Sequence, residues 1–398
     1  MQRRKFIRNT GLLTAAALFD APLNQVYSMT AGPAVNLGII GTGDRGTGMM
    51  NVINSMKERF TIKAVCDIFD FRLAAAKRLS PAAREVKDYR RILDDRNIDA
   101  VVIATPLNLH YQIALEALEA GKHVYLEKTM TFDIPQALKL VEQSARYKGQ
   151  ILQVGHQYRY SPLYYKVKEM IEKGYLGKVS QIDCHWDRNW DWRRSVPAGY
   201  NDKQINWRLY REFSGGLPAE LLSHQIDFVN WAFNTHPDQV LATGGVDVYK
   251  DGRETFDNIQ ALLRYNKEGM VGNFGATCGN ARDGYIFKIK GSKGMISLLV
   301  NEGKFYPEPE TRKELQVVDG VSGATKIEWT RDGGIAVLPE KTKDGTYYAF
   351  EDFYRAIREN KQPSSNVHTG ATTAVCVHMI NQAAFNGTVE NWKPRYQV

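Results

Sequence analysis

Three side chains in this sequence could together remove a proton and a hydride from an alcohol. Lys128 follows the apolar run 123–126, and Glu220 and His224 are four residues apart, so they share one face of a helix. An imidazole can take the proton of a hydroxyl group while the hydride leaves the same carbon, and a nearby lysine can lower the pKa of that hydroxyl. Lys128, Glu220 and His224 are therefore the predicted catalytic groups.

Each of these residues also has a structural interpretation. Lys128 could be an exposed surface lysine, and His224 could be a hydrogen-bonded histidine of the core. Glu220 could orient a substrate or His224 itself. Asp227, three residues further along, is interpreted as an acid that packs between helices rather than as a catalyst.

A glycine-rich turn near the start of the chain predicts where a dinucleotide would bind. Gly41, Gly43 and Gly46 have the spacing G-x-G-x-x-G, follow an apolar run at 35–40 and precede a helical pattern at 49–60. Gly41 permits the tight turn, Gly43 leaves space for a pyrophosphate, and Gly46 lets the helix approach the strand. The structural alternative is a glycine-rich turn without a ligand.

The residues beside this turn indicate which dinucleotide it would hold. Asp44 and Arg45 lie within the turn, where free N–H groups of a helix N-terminus would face the phosphates. Asp67 ends the next apolar run and should accept hydrogen bonds from the adenosine ribose. Because a carboxylate repels a 2′-phosphate, the sequence favours NAD over NADP, although Arg72 is close enough to keep NADP as the alternative.

Alternating strand and helix patterns position the turn and Lys128. This alternation continues from residue 35 to residue 155 and is typical of βαβ units with a parallel sheet. The later apolar runs lie at 61–66, 99–104, 123–126 and 151–155, and the helical segments at 70–80, 111–120 and 135–148. Residues 35–155 are therefore predicted to form the dinucleotide-binding domain, with Lys128 beyond the end of a strand.

The pattern changes after residue 155. Turn signals separate short strand-like runs, as in antiparallel sheets, and residues 301–345 are predicted to form long loops with edge strands. Helical patterns occupy 161–174, 346–359 and 369–385, and the strand-like runs occupy 178–188, 239–250, 255–265, 269–279, 285–291 and 294–300. Residues 156–398 are therefore predicted to form an α+β substrate domain.

Composition and charge exclude several classes of protein. A chain of 398 residues with 43% hydrophobic and 24% charged residues is long enough for two globular domains and is neither disordered nor fibrous. It has no apolar run of the roughly 18–20 residues that cross a membrane. The formal charge of +8 is scattered along the chain, so nucleic-acid binding is not expected. The four cysteines form no C-x-x-C pair, and no metal is expected.

The first 30 residues resemble an export signal. A basic start, with Arg3, Arg4 and Lys5, precedes a mostly small and apolar stretch at 11–19. The paired arginines are similar to those of twin-arginine signals. This route carries folded proteins, which suits a protein that takes up its cofactor in the cytoplasm. The sequence therefore predicts a periplasmic or otherwise exported protein, with a basic tail on a cytoplasmic protein as the alternative.

An aromatic segment predicts a carbohydrate site. Residues 185–194 combine tryptophans with acids and arginines, which suits the C–H faces and hydroxyls of a sugar ring. The alternatives are an interface, a core strand extension, and a metal site formed by His185, Asp187 and Asp191. The predicted substrate contacts are His156, Tyr158, Arg159, Trp190, Trp192, Arg193, Trp207, Arg208 and His224.

These motifs together resemble the Gfo/Idh/MocA oxidoreductases, named for glucose–fructose oxidoreductase and inositol dehydrogenase. The resemblance covers nearly the whole chain after residue 30. It depends on the glycine-rich turn, Asp67, residues 104–110, 120–128, 207–208 and 215–216, and the set Glu220, His224 and Asp227. It implies an N-terminal Rossmann domain and a C-terminal domain with a large open sheet. Because such a sheet has an exposed face, we expect copies of the chain to associate through it. The resemblance also implies a nicotinamide cofactor and a sugar or polyol substrate.

The resemblance also implies roles for individual residues. The family's Glu-Lys-Pro stretch is similar to Glu127-Lys128-Thr129, which makes Lys128 catalytic and places Glu127 on the nicotinamide ribose. Thr129 departs from the usual proline, and Glu220 departs from the usual aspartate of the Asp-x-x-x-His pair. The loop after the strand at 99–104 would lie under the cofactor and contribute Thr105, Pro106, Asn108 and His110, although His110 could instead only pack.

Three hypotheses of function follow. The first is an NAD(P)-dependent oxidoreductase that oxidises a ring hydroxyl of a sugar or glycoside, for which C3 is a candidate position. Because free NAD is scarce outside the cytoplasm, its cofactor would be tightly bound. The second is a redox-neutral glycoside hydrolase that oxidises C3 transiently, with His156, Tyr158 or His185 as a second base near C2. The third is a non-catalytic protein that binds a sugar or nucleotide.

Overall fold

The computed structural model describes residues 32–316 and 329–398. The predicted export signal, residues 1–30, lies outside the described residues. A parallel sheet is followed along the chain by a second, mostly antiparallel sheet. This arrangement confirms the predicted fold class.

Six parallel strands and their connecting helices form the first sheet. The strands are β1 (Val35–Ile40), β2 (Phe60–Cys66), β3 (Arg84–Val86), β4 (Ala100–Ile103), β5 (His123–Leu126) and β6 (Leu152–Val154), and the helices are α1 (Asp44–Asn54), α2 (Asp70–Leu79), α3 (Arg90–Leu93), α4 (His110–Glu119) and α5 (Ile134–Ser144). The strand order is β3-β2-β1-β4-β5-β6. The order reverses between β1 and β4, and ligands of such sheets bind at the carboxyl ends of the strands beside this point.

The helix predicted at 49–60 begins earlier and ends earlier than expected. It begins at Asp44, directly after Gly43, and ends at Asn54. Phe60 is already the first residue of β2, which pairs with β1. The predicted helix at 49–60 therefore spans the end of a helix, a turn and the first residue of a strand, which the sequence pattern did not separate.

Nine strands form the second sheet, in the order β14-β13-β12-β11-β7-β10-β9-β8-β15. They are β7 (Val179–Asp187), β8 (Gln239–Gly245), β9 (Asn258–Tyr265), β10 (Met270–Thr277), β11 (Tyr285–Gly291), β12 (Gly294–Leu298), β13 (Gly303–Pro307), β14 (Ile335–Ala336) and β15 (Glu390–Asn391). Neighbouring strands are antiparallel except β7 and β10, which are parallel. Strands β7, β8, β9, β10, β11 and β12 fall within the predicted runs.

Helices cover one face of this sheet and leave the other exposed. The helices of this part of the chain are α6 (Pro162–Glu172), α7 (Asp202–Ile205), α8 (Ser223–Phe233), α9 (Pro309–Gln316), α10 (Gly345–Glu359) and α11 (Val367–Asn386). Buried and exposed residues alternate along β9. Leu241 and Leu262 face each other on the open side and are 41% and 48% exposed. Association of copies through this face stays a prediction.

The end of the chain returns to the first sheet. Phe350 of α10 stacks on Tyr125 of β5, with ring centroids 4.6 Å apart. Gly370 of α11 lies so close to Val154 that a Cβ on it would come within 2.7 Å of that side chain. The last two long helices therefore pack against the first sheet, and α11 also contacts β8 of the second sheet.

Candidate active site

Two connected cavities open at the carboxyl ends of the first sheet. The larger, of about 1150 Å³, is lined by the glycine-rich turn and Asp67. The smaller, of about 400 Å³, is lined by Lys128, Glu220 and His224. The two share Asp44, Arg45, Ala104, Thr105, Trp192, Arg194, Trp207 and Arg208. One groove therefore joins the predicted dinucleotide site to the predicted catalytic residues.

The three glycines of the turn have different surroundings. Gly41 has a φ of +90°, which favours glycine, and a Cβ on Gly46 would lie 2.0 Å from the carbonyl oxygen of Gly41. Gly43 precedes α1, has an ordinary φ of −69° and lines the larger cavity. A Cβ there would meet nothing closer than Arg72, at 3.6 Å. The fold therefore has room for a Cβ at Gly43, but this Cβ would take space in the groove that the dinucleotide would occupy.

Asp67 is held beside this turn by backbone groups. Its Oδ2 accepts a hydrogen bond from the Thr42 N–H at 2.9 Å, and its Oδ1 accepts one from the Phe69 N–H at 3.1 Å. Arg72 lies over the Phe69 ring, 4.9 Å from its centroid, with Nη1 4.0 Å from Asp67 Oδ2. Both charged groups line the larger cavity. The turn thus presents a fixed carboxylate with a guanidinium at its side.

The loop after β4 lies between the two cavities. Pro106 and Asn108 line the larger cavity, and Thr105 lines both. His110 is buried, and its ring nitrogens lie 2.9 Å and 3.1 Å from the carbonyl oxygens of Thr129 and Thr105. His110 therefore joins this loop to the loop that follows Lys128, and it also lines the smaller cavity.

Lys128 lies just beyond the end of β5 and reaches the second domain. Its Nζ donates to the backbone carbonyls of Ala219 at 3.1 Å and Glu220 at 2.7 Å. These carbonyls belong to a π-helical turn, Pro218–Leu222, directly before α8; such turns are frequent at functional sites. Burial lowers the pKa of Lys128, and the charges of Glu220 and Glu127 oppose that shift. The peptide bond between Lys128 and Thr129 is cis.

Glu220 is paired with an arginine of the same cavity. Its Oε2 accepts a hydrogen bond from Arg208 Nε at 3.0 Å, and the Arg208 guanidinium lies 4.3 Å from the centroid of Trp207. Burial alone would raise the pKa of Glu220, but the charges of Arg208 and Lys128 outweigh it and lower that pKa. Glu220 is therefore an ionised carboxylate beside the lysine.

His224 is a neutral imidazole without a hydrogen bond to any described residue. Its Nδ1 is buried and has no partner. The ring of Tyr158 stacks on it, with centroids 5.0 Å apart. Burial lowers the pKa of His224 well below 6.5, and the charges of Lys128 and His156 lower it further. The imidazole lining the smaller cavity can therefore accept a proton near neutral pH.

Glu127 and Arg45 form a pair at the junction of the cavities. Arg45 Nε lies 2.6 Å from Glu127 Oε1, and Glu127 Oε2 accepts a hydrogen bond from the Lys128 N–H at 2.9 Å. Gln157, which sequence reasoning did not single out, also lines the smaller cavity. Arg194 also lines both cavities and was not predicted. The aromatic segment contains several arginines, and the sequence alone does not show which of them faces a cavity.

Three predicted substrate contacts lie behind His224 instead of lining a cavity. Arg159 donates to both oxygens of Asp227, at 2.8 Å and 2.9 Å. His156 is completely buried 3.5 Å from Asp227, and burial lowers its pKa to about 4. Tyr158 is buried against the ring of His224. These residues support the imidazole from behind and do not contact the groove.

The aromatic segment contributes rings to the smaller cavity, but Arg193 does not line it. Trp190 and Trp192 line this cavity, as do Trp207 and Arg208. Arg193 instead pairs with Asp251 at 2.8 Å and Asp202 at 3.0 Å. These ion pairs anchor the segment that carries the two tryptophans.

His185 lies on the open face of the second sheet. Its Nε2 is 3.0 Å from Asp183, and the neighbouring Trp186 faces His224 on the other side. Among residues 32–316 and 329–398, no three histidines, cysteines or acids come together as metal ligands. Within those same ranges, no helix is long and apolar enough to cross a membrane.

Comparison with known families decides the classification. Residues 35–156 match the model of an oxidoreductase family with an NAD-binding Rossmann fold, and residues 168–391 match that of the C-terminal alpha/beta domain of the same family. This chain is a Gfo/Idh/MocA oxidoreductase. The family resemblance stated from the motifs is thereby confirmed.

Similar members of the family come from several bacteria. An uncharacterised oxidoreductase of Synechocystis is 30% identical over 382 residues, which cover 89% of this chain and 95% of that protein. Levoglucosan dehydrogenase of Pseudarthrobacter phenanthrenivorans is 28% identical over 71% of this chain and 76% of that protein. With the oxidoreductase YteT of Bacillus subtilis, 29% identical, the match covers 54% of this chain and about half of that protein.

Solved structures of the family share the fold. A levoglucosan dehydrogenase in complex with NADH and levoglucosan superposes with a TM-score of 0.73 and 21% identity, over 90% of this chain and 99% of that one. This Gfo/Idh/MocA chain thus has both domains of its structural relatives in the same order.

The contrast between Gly43 and Gly46 predicts two different outcomes. Gly43→Ala should fold normally, because its Cβ has ordinary contacts, yet should weaken NAD binding by about 1–3 kcal/mol through overpacking of the groove. Gly46→Ala should lower both the melting temperature and NAD affinity. Calorimetric titration with NAD and thermal unfolding measure both effects. A Gly43→Ala variant that binds NAD like the wild type would contradict this assignment of the groove.

Proposed function

We propose that this protein is an NAD-dependent dehydrogenase that oxidises a ring hydroxyl of a sugar or polyol. The observation that carries the proposal is the meeting of Lys128, Glu220 and His224 in one cavity continuous with the glycine-rich groove. The smaller cavity, about 400 Å³, lies in the range of about 300–1,000 Å³ typical of small-molecule sites. Similarity to levoglucosan dehydrogenase supports a carbohydrate substrate.

The groove suits a dinucleotide held by the turn and Asp67. A side chain at Gly43 would take space that the pyrophosphate needs, and the N–H groups at the start of α1 would face the phosphates. The Asp67 carboxylate would accept hydrogen bonds from the hydroxyls of the adenosine ribose, and Glu127 would lie at the nicotinamide end of the dinucleotide. When bound, NAD supplies the hydride acceptor at C4 of its nicotinamide ring. We favour NAD over NADP because the Asp67 carboxylate, held at the turn by the Thr42 N–H, would repel a 2′-phosphate.

Lys128 would bind the oxygen of the reacting hydroxyl. An ammonium has three N–H donors, and the carbonyls of Ala219 and Glu220 take two of them. The third is left for a substrate oxygen in the cavity. A positive charge there stabilises the negative charge that develops on this oxygen as its proton is removed. The carboxylates of Glu127 and Glu220 favour the charged form of the amine.

His224 would take the proton of the same hydroxyl. Its imidazole is neutral and has no competing hydrogen bond among the described residues. The stacked ring of Tyr158 holds the imidazole in place. The balance is one hydride to the cofactor, one proton to His224, and a ketone left on the sugar.

The hydrolytic alternative requires a second base near C2. His156 and Tyr158 are buried behind His224, and His185 lies on the opposite face of the sheet. None of the three lines the smaller cavity. Dehydrogenation therefore has the better support, and hydrolysis remains a measurable outcome of the experiment below.

Replacement of the two central residues tests catalysis separately from binding. Lys128→Met and His224→Gln should each lower kcat by about 10²–10⁴-fold, the usual contribution of acid–base groups, while NAD affinity is retained. The matched control is Lys148→Met, at an exposed lysine. Turnover is followed as NADH absorbance and as free sugar, with levoglucosan, myo-inositol and methyl glycosides as probes.

Each result of this experiment has a defined meaning. NADH formation that both variants lose supports the proposal. Release of free sugar without NADH would support the redox-neutral hydrolase instead. Unchanged turnover in both variants would contradict the catalytic roles of Lys128 and His224.

The pKa of His224 predicts the acid side of the pH profile. The imidazole must be neutral to accept a proton, and its pKa in the folded protein lies well below 6.5. Activity should therefore be lost only as the pH falls through values below 6.5. The measurement is kcat/KM against pH, with His224→Gln expected to lack this limb. A limb centred at or above pH 6.5 would show that His224 is not held neutral.

We also propose export of the folded protein by the twin-arginine route, supported by Arg3, Arg4 and the apolar stretch that follows. Cell fractionation should recover the wild-type protein outside the cytoplasm and the Arg3→Lys/Arg4→Lys variant inside it. Equal distribution of the two would contradict the proposal.

A further inference from the structure

Arg188 extends the catalytic face of the second sheet. It directly follows β7, and its N–H donates to the carbonyl of Thr277 at 2.9 Å, which continues the pairing of β7 with β10. Side chains alternate between the faces of a strand, so Arg188 lies on the same face as Trp186. The Trp186 ring is 6.1 Å from the ring of His224. Arg188 therefore points to the side of the sheet that carries the cavity.

The guanidinium of Arg188 has no acceptor among the described residues. Its Nε and Nη1 are buried without a hydrogen bond, and Nη2 remains accessible. The arginines around it are paired: Arg193 with Asp251, Arg208 with Glu220, and Arg253 with Asp191 and Asp251. Leaving buried donors unpaired is costly, so an unpaired guanidinium beside the rings that line the cavity requires an explanation.

Two tryptophans that line the smaller cavity contact this charge. The Arg188 Cζ lies 4.0 Å from the ring centroid of Trp190 and 4.7 Å from that of Trp192. Both rings line the smaller cavity. Cation–π contacts of this kind stabilise a guanidinium without neutralising it. The charge is therefore fixed in position but still available to a ligand.

The cavity as a whole is positively charged. Its lining contains four cationic side chains, Arg45, Lys128, Arg194 and Arg208, and three acidic ones, Asp44, Glu127 and Glu220. Arg188, beside the cavity, raises the excess from one positive charge to two. A neutral sugar compensates neither charge, whereas an anionic group on the ligand compensates one of them.

We propose that Arg188 recognises a carboxylate on the substrate, so that the protein acts on an acidic sugar in preference to a neutral one. The inference rests on the proposed function, because it places the carboxylate on a sugar bound in the same cavity. Guanidinium and carboxylate form strong, charge-assisted hydrogen bonds. The reacting hydroxyl would face Lys128 and His224, and the acidic substituent would face Trp190 and Trp192.

Matched pairs of sugars test this preference. The probes are the methyl glycosides of glucose, galactose and mannose and the corresponding methyl glycosiduronates, which differ only in a carboxylate at C6. Calorimetric titration of the NADH-loaded protein should show at least one acid that binds roughly tenfold or more tightly than its neutral partner. High salt should reduce the difference. No preference for an acid in any of the three pairs would overturn the inference.

Variants of Arg188 assign the preference to this residue. Arg188→Gln should reduce the affinity ratio of acid to neutral sugar to about one, and Arg188→Lys should keep part of it because the charge is retained. Arg264→Gln, at an exposed arginine of the open face, makes the same change in net charge and should keep the full ratio. A ratio that persists in Arg188→Gln would assign the carboxylate to another cation and overturn the inference.

Turnover assays with the same sugars, together with the titrations, separate this inference from the proposed function. Equal turnover of acidic and neutral sugars with NAD would keep the dehydrogenase and remove the role of Arg188. Tight, Arg188-dependent binding of an acid without any turnover would keep the role of Arg188 and remove the dehydrogenase. NADH affinity and melting temperature of each variant show that it is folded.

Discussion

The two hydrogen bonds from Lys128 to the carbonyls of Ala219 and Glu220 are the contact on which the site depends. They join the end of a strand in the first domain to the π-helical turn that begins α8 in the second. The groove exists because these two elements are held at this distance. The same contact uses two of the donors of the lysine and directs what remains of its charge into the cavity.

Burial and pairing then give each neighbouring group one protonation state. Glu220 is ionised because the charges of Arg208 and Lys128 outweigh its desolvation, and His224 is neutral because the charge of Lys128 adds to the effect of its burial. Residues behind the imidazole, including the pair Arg159 and Asp227, hold the wall without contacting the groove. Arg188 is an exception to this pairing, because its charge is stabilised by aromatic rings instead of an acid.

Patterns among residues close together in the sequence predicted the glycine-rich groove. Contacts between residues far apart in the sequence could not be predicted in this way. Gly41 to Gly46 and Asp67 were predictable because their spacing along one strand–helix–strand unit fixes their geometry. Arg159 and Arg193 were predicted as substrate contacts, but their partners lie 68 and 58 residues away in the chain, at distances where no periodicity applies. β3 was not predicted because none of its three residues is buried, so no apolar run marks it in the sequence.

A crystal structure of the protein with NAD bound is the most direct measurement of this account. It should show the nucleotide across the ends of the first sheet, with its adenosine ribose at Asp67 and nicotinamide C4 in the cavity between Lys128 and His224. A nicotinamide ring outside that cavity, or a protein that takes up no dinucleotide at all, would contradict the central claim.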